Sequence, residues 1–191
     1  SASIDFDNGN YRGYYFIDNN KKIKDGEGVM EYNDKLENID SGGRYHGDWK
    51  DDERNGFGKM EYKNGDIYEG NWELDAKNGK GVMNFSNGQK YNGEWQRDMK
   101  NGKGIMNYKS RNGNYEGFIY EGEWLNNFRH GDGRMEYGEG NQIYDGQWQF
   151  GKKHGKGKII IGNESYSCEY FLGQEVYHDD LKYKINNIQA A

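Results

Sequence analysis

The sequence predicts an all-β protein: an elongated, twisted, single-layer antiparallel sheet built from six to seven consecutive β-hairpin repeats. Three observations carry that expectation. Tyr-x-Gly-x-Trp occurs five times, each time followed by Gly-x-Gly at a fixed distance. Within each copy large and small residues alternate with the period of two that sets them on one face of a strand. The 191-residue chain is poor in aliphatics, with mean hydropathy −1.29, yet 16% aromatic, so the core it can build is an aromatic one.

Taken in order, residues 1–10 read as a lead-in and residues 11–175 as the array, with repeats starting at Tyr11, Tyr45, Tyr68, Tyr91, Tyr120, Tyr144 and Tyr166. The first copy is degenerate: Tyr11-x-Gly13-x-Tyr15 reaches Gly26-x-Gly28-x-Met30-x-Tyr32 only after a longer internal segment, Phe16 to Asp25. The next five are regular. Their tryptophans, Trp49, Trp72, Trp95, Trp124 and Trp148, are all the tryptophans of the chain, and Gly56, Gly79, Gly102, Gly131 and Gly155 follow them at one spacing. Met60, Met83, Met106, Met135 and Ile159 share a further position. The last copy is partial, Tyr166-x-Cys168-x-Tyr170. Length varies almost entirely in the connectors between these cores, as expected of surface loops. Residues 176–191 read as a C-terminal cap, where Leu181, Ile185 and Ile188 behind Asp179 and Asp180 have the spacing of a short capping helix.

Each core contains two strands. If they pair symmetrically across a loop of about eight residues, Tyr45 lies opposite Tyr62, Gly47 opposite Met60 and Trp49 opposite Gly58. In that register each large side chain faces a glycine, so Trp and Met lie flat over the glycine backbone.

The pattern YxGxW…GxGxMxY resembles the MORN (membrane occupation and recognition nexus) repeat across roughly residues 11–175. The resemblance implies antiparallel hairpins with an aromatic-lined inner face. It also implies a non-catalytic scaffold that docks protein partners in a cytoskeletal, ciliary or membrane-apposed assembly, in a cytoplasmic setting. Two alternatives stay open: an anionic phospholipid-binding module, and a regulatory or targeting array of a larger enzyme whose catalytic domain lies outside this chain. Arrays of this family also pair, so a homodimer is a further expectation. The departures from pattern, Tyr15 for Trp and Cys168 for Gly, fall at the two ends, where a repeat array needs caps.

Other chemistries find little support in the residues. A net charge of −6 without a continuous basic face argues against nucleic acid. The GKG elements begin strands instead of leading a strand into a helix, so they lack the context of a phosphate loop. Gly146-x4-Gly151-Lys152-Lys153 has the Walker spacing but no Ser or Thr after the lysine. His46, His130, His154 and His178 show no ligand spacing, so no metal and no cofactor is expected. A single cysteine, Cys168, forms no intrachain disulfide and fits a reducing compartment.

Two surfaces remain as candidates. The first is the aromatic face as a partner-binding groove, formed by Tyr45, Trp49, Tyr68, Trp72, Tyr91, Trp95, Tyr120, Trp124, Tyr144 and Trp148. The second is a row of bases two residues before each loop glycine: Lys24, Arg54, Lys77, Lys100, Arg129 and Lys153. Spaced about 10 Å apart along one sheet edge, they would face an anionic partner such as lipid head groups or an acidic protein tail. The competing reading is local, with Asp52, Asp75 and Asp98 neutralising the bases and the tryptophans stacking on them.

Overall fold

A computed structural model describes residues 3–34, 42–108, 117–138 and 142–176. The chain divides into two units, Ser1–Met99 and Lys100–Ala191. Unit 1 carries β1 (Ile4–Phe6), β2 (Gly9–Asp18), β3 (Lys21–Tyr32), β4 (Arg44–Lys50), β5 (Glu53–Glu61), β6 (Ile67–Glu73), β7 (Ala76–Asn84) and β8 (Lys90–Gln96). β9 (Met99–Asn107) begins on the last residue of unit 1 and lies otherwise in unit 2. Unit 2 continues through β10 (Ile119–Leu125), β11 (Phe128–Tyr137), β12 (Gln142–Gln149), β13 (Lys152–Ile161), β14 (Glu164–Phe171) and β15 (Gln174–Val176). In each unit every strand pairs antiparallel with its chain neighbours, giving an open one-layer sheet of hairpins. The described residues contain no α-helix, and the capping helix expected near the C-terminus falls on 177–191, outside them.

The lead-in is more than a tail. Its Ile4 pairs with Tyr11, and the Phe6 ring meets the Tyr11 ring edge-on at 6.1 Å. β1 thus pairs along the outer edge of the first hairpin.

The hairpins pair in a different register from the symmetric one. Tyr45 lies opposite Met60, Gly47 opposite Gly58 and Trp49 opposite Arg54, and Lys50 and Glu53 close a two-residue turn, Asp51–Asp52. Both turn residues have positive φ, 50° and 72°, as a type I′ hairpin requires. The same turn recurs at Leu74–Asp75, Arg97–Asp98, Asn126–Asn127, Phe150–Gly151 and Leu172–Gly173. The expected eight-residue loop is therefore mostly strand. Asp and Asn tolerate the left-handed region well enough to make a tight turn without glycine. The residues displaced by this tighter turn appear as a bulge in the second strand, opposite Asp48, where Gly56 takes φ +101°.

This register lines the repeated residues into rows across each sheet. In unit 1 one row runs Gly13, Gly28, Gly47, Gly58, Gly70, Gly81, Gly93. Beside it runs Tyr11, Met30, Tyr45, Met60, Tyr68, Met83, Tyr91. Unit 2 repeats both rows, its glycine row passing through Gly133, Gly146 and Gly157 and ending on the buried Cys168.

Candidate interaction surface

Each tyrosine of the motif lies across its own glycines. A Cβ on Gly58 would stand 2.1 Å from Tyr45 Oη and 2.4 Å from its Cζ, so the ring and any side chain there exclude each other. With the ring laid down, Tyr45 Oη donates to the Asp48 carbonyl at 3.0 Å, tying the ring to the bulge. Tyr68, Tyr91, Tyr120 and Tyr144 donate in the same way to Asn71, Glu94, Glu123 and Gln147. It is the tyrosine of the hairpin, not the tryptophan, that covers the glycines.

Each tryptophan instead reaches back to the previous repeat. Trp72 Nε1 donates to the Gly58 carbonyl at 3.2 Å, Trp49 to Gly28 and Trp95 to Gly81; in unit 2 Trp124 donates to Gly104 and Trp148 to Gly133. The rings alternate edge to face: Tyr45 meets Trp49 at 5.1 Å and Trp72 at 5.4 Å, and Tyr68 meets Trp72 at 5.1 Å and Trp95 at 5.4 Å. Such T-shaped pairs contribute roughly 0.5–1.5 kcal/mol each beyond area burial.

The ten residues expected to line a partner groove are the core of the protein. Tyr45, Tyr68, Tyr91, Tyr120 and Tyr144 are fully buried and the five tryptophans nearly so, packed against one another. Burial lifts the Tyr11 phenol to about 12 and pushes those of Tyr45, Tyr68, Tyr91, Tyr120, Tyr144 and Tyr170 above the ordinary tyrosine range as well.

The six bases do not stand in an exposed edge row. The β alternation turns them onto the aromatic face, each over the tryptophan or tyrosine of the following repeat. The cation centre of Arg54 is 4.3 Å from the Trp72 ring, Lys24 4.9 Å from Trp49 and Lys77 5.6 Å from Trp95. In unit 2 Lys100 is 4.5 Å from Trp124, Arg129 4.3 Å from Trp148 and Lys153 5.0 Å from Tyr170. Lys24, Arg54 and Lys77 are buried. Their neutralising carboxylates come from the next repeat's turn and not from their own: Asp52 pairs with Lys24 at 3.3 Å, Asp75 with Arg54 at 3.0 Å and Asp98 with Lys77 at 2.9 Å. The same aspartates accept the backbone N–H of those bases and donate their own N–H to the bases' carbonyls. Lys152, Lys156 and Lys158 flank Lys153 in sequence but are exposed, and Lys156 and Lys158 sit opposite Glu169 and Asp145 in register.

Sequence reasoning missed the tips of the unit 2 hairpins. Leu125, Phe128, Phe150, Phe171 and Leu172 are all exposed, 39–62%, at or beside the turns. The corresponding residues of the second repeat, Lys50, Asp51, Asp52 and Glu53, are all charged. Aligning the repeats on the turn and not on the tryptophan would have shown the difference. His130 packs edge-on against Phe150 at 5.9 Å, and His154 lies tilted against Phe171 at 5.6 Å. Among the described residues no group of three or more His, Cys, Asp or Glu is placed to hold a metal ion. Burial pushes the Cys168 thiol up to about 11, which leaves it protonated at neutral pH.

The MORN repeat family model matches residues 45–67, 68–90, 91–115, 120–142 and 144–165. The chain belongs to the MORN repeat family. The first hairpin, Tyr11–Tyr32, lies outside the matched residues yet has the same Tyr-over-glycine geometry and passes Lys24 to the next turn. No curated protein matches the MORN chain in sequence. Among solved structures, it is similar to the TCP domain of SAS-4 (dCPAP) of Drosophila melanogaster, solved in complex with a proline-rich motif of Ana2 (dSTIL). That match has 13% identity and a TM-score of 0.33, and covers 81% of this chain and 87% of that one.

Proposed function

We propose that this MORN array is a non-catalytic scaffold that docks protein partners through its sheet surface, in a cytoskeletal, ciliary or membrane-apposed assembly. The observation that supports this reading is the division of labour in the repeat. The motif residues are spent on the core, which leaves the turn tips and the outer strand positions, variable between repeats, to meet a partner. Exposed Leu125, Phe128, Phe150, Phe171 and Leu172 supply apolar contact of the kind interfaces use. The purified chain, immobilised, is expected to retain a reproducible set of proteins that then bind it directly in pairwise assay. Sedimentation with anionic vesicles at physiological salt is expected to leave the chain in the supernatant. Vesicle binding without any direct protein binder would replace the scaffold reading by the phospholipid one.

A further inference from the structure

The caged bases differ between the two units. In unit 1 each has a turn carboxylate: Arg54 Nε and backbone N–H both donate to Asp75 Oδ1, at 3.0 and 2.9 Å, and Lys77 is held likewise by Asp98. In unit 2 the equivalent turn residues are Asn127, Gly151 and Gly173, none of which carries a charge. Arg129 otherwise repeats Arg54 closely. Its guanidinium lies 4.3 Å from Trp148 and 5.8 Å from Tyr120, as Arg54 lies 4.3 Å from Trp72 and 5.8 Å from Tyr45, and it donates to the carbonyl of the turn residue, Gly151. Lys153 stands among three rings, Tyr144 at 4.5 Å, Tyr170 at 5.0 Å and Tyr137 at 5.3 Å. Among the described residues no carboxylate forms a direct ion pair with Arg129 or Lys153; the carboxylate that acts on Lys153 through space is Glu175, on the strand beyond the Gly173 turn.

The places where Asp75 and Asp98 carry their side chains are open at the glycines. A Cβ on Gly151 would meet only Phe128 Cδ1, at 3.7 Å, and one on Gly173 would have the Lys152 stem as its nearest neighbour, at 3.6–3.8 Å. Consecutive hairpins set these places about 10 Å apart, two strand spacings. The exposed Phe128, Phe150, Phe171 and Leu172 stand at the same turns. A half-buried cation beside aromatic rings gains most from a carboxylate that arrives with apolar surface to exclude water.

We propose that the turn edge of unit 2 docks an acidic peptide segment of a partner protein: its carboxylates take the positions beside Arg129 and Lys153 that Asp75 and Asp98 fill beside Arg54 and Lys77, and its apolar side chains lie against Phe128, Phe150 and Phe171. Unit 1 is the occupied form of this arrangement, with the carboxylate supplied in the chain itself. The inference rests on the scaffold reading and names the chemistry of its partner.

The test uses the full chain and two fluorescein-labelled dodecapeptides, four repeats of Glu-Glu-Phe and four of Gln-Gln-Phe, followed by fluorescence anisotropy. The acidic peptide is expected to bind saturably and to weaken with added salt, with the glutamine peptide at least about tenfold weaker. The decisive variant is Gly151→Asp with Gly173→Asp, which gives unit 2 the carboxylates of unit 1. Asp takes φ 62–72° at the equivalent turns of unit 1 and the two glycines sit at 78° and 89°, so the variant should fold with a melting temperature at or a little below that of wild type and bind the acidic peptide about tenfold or more weakly. Leu74→Ser, at an exposed tip of unit 1, should leave binding unchanged. Absence of binding at millimolar peptide, equal affinity for both peptides, or full affinity in the double aspartate variant overturns the proposal. Binding seen only after removal of 177–191 overturns it too, by assigning the site to the chain's own end. A chain whose protein partners bind the double aspartate variant as well as wild type loses this site and keeps the scaffold function.

Discussion

Gly58→Ala tests the central packing claim, that the second glycine of each Gly-x-Gly exists to let a tyrosine lie flat. The added methyl would sit 2.1 Å from Tyr45 Oη and 2.6 Å from its Cε2, well inside contact distance, so the ring must lift. Lifting it breaks the Oη–Asp48 hydrogen bond, about 1 kcal/mol net, and both edge-to-face contacts, with Trp49 and Trp72, at about 1 kcal/mol each. It also exposes part of a ring that is fully buried, so the cost should be about 3–5 kcal/mol, in the range of a large core defect. Urea denaturation followed by tryptophan fluorescence measures it, and a double-mutant cycle with Tyr45→Ala isolates the cause. With the ring gone, Gly58→Ala should cost less than about 1 kcal/mol, because alanine is otherwise no worse than glycine in a strand. A loss under about 1 kcal/mol in wild type, or an equal loss in both backgrounds, would refute the reasoning.

Three further outcomes follow from the same geometry. Asp75→Asn keeps an acceptor for the Arg54 N–H and a residue suited to φ 62°, whereas Asp75→Ala keeps neither; chemical denaturation should show the alanine variant less stable by about 1–2 kcal/mol than the asparagine one. Trp72→Phe removes the Nε1 bond to Gly58 of the preceding repeat and should cost about 1–3 kcal/mol, with an equal melting temperature counting against the inter-repeat bond. Raising the pH should unfold the protein between about 10 and 12: burial raises the phenol of Tyr11 to about 12 and others further, so folding stability is intact below the ordinary tyrosine value and falls as unfolded tyrosines ionise. Tyrosinate absorbance should then rise in two phases, the second coinciding with loss of the sheet's circular dichroism, and a single phase near 10 with the sheet intact would contradict it.

The repeat, the strand content and the aromatic core were all legible in the spacing, because period-two alternation and a conspicuous Trp position survive any choice of register. The register itself was not. A symmetric pairing assumes that glycines mark the turn, but the turn is made by Asp51–Asp52 and its counterparts in the left-handed region, while Gly56 marks a bulge. That error, two residues at Tyr45 and four at Trp49, moved Arg54 from an imagined loop edge onto the face of Trp72. The bases were found and their aromatic neighbours anticipated as one reading, yet their carboxylates lie one repeat further on, a pairing that spacing within a repeat cannot express.

That offset explains why the array holds together without a second layer. Trp72 completes the hydrogen bonding of Gly58, and Asp75 completes Arg54, so each hairpin is finished by its successor. Stability then resides in the junctions between repeats as much as in the hairpins, the arrangement expected of quasi-one-dimensional folds. A junction residue can change only if something else supplies its group. Asp52, Asp75 and Asp98 supply it within unit 1, and at Gly151 and Gly173 the turn residue itself does not, Glu175 acting on Lys153 only through space. The uncharged turns keep the backbone bond, Gly151 N–H to Arg129 carbonyl at 2.9 Å and Gly173 N–H to Lys153 at 2.8 Å, so the strand pairing survives without the carboxylate. What those two junctions give up is the direct ion pair to a half-buried cation, which is the contact an acidic partner segment would restore.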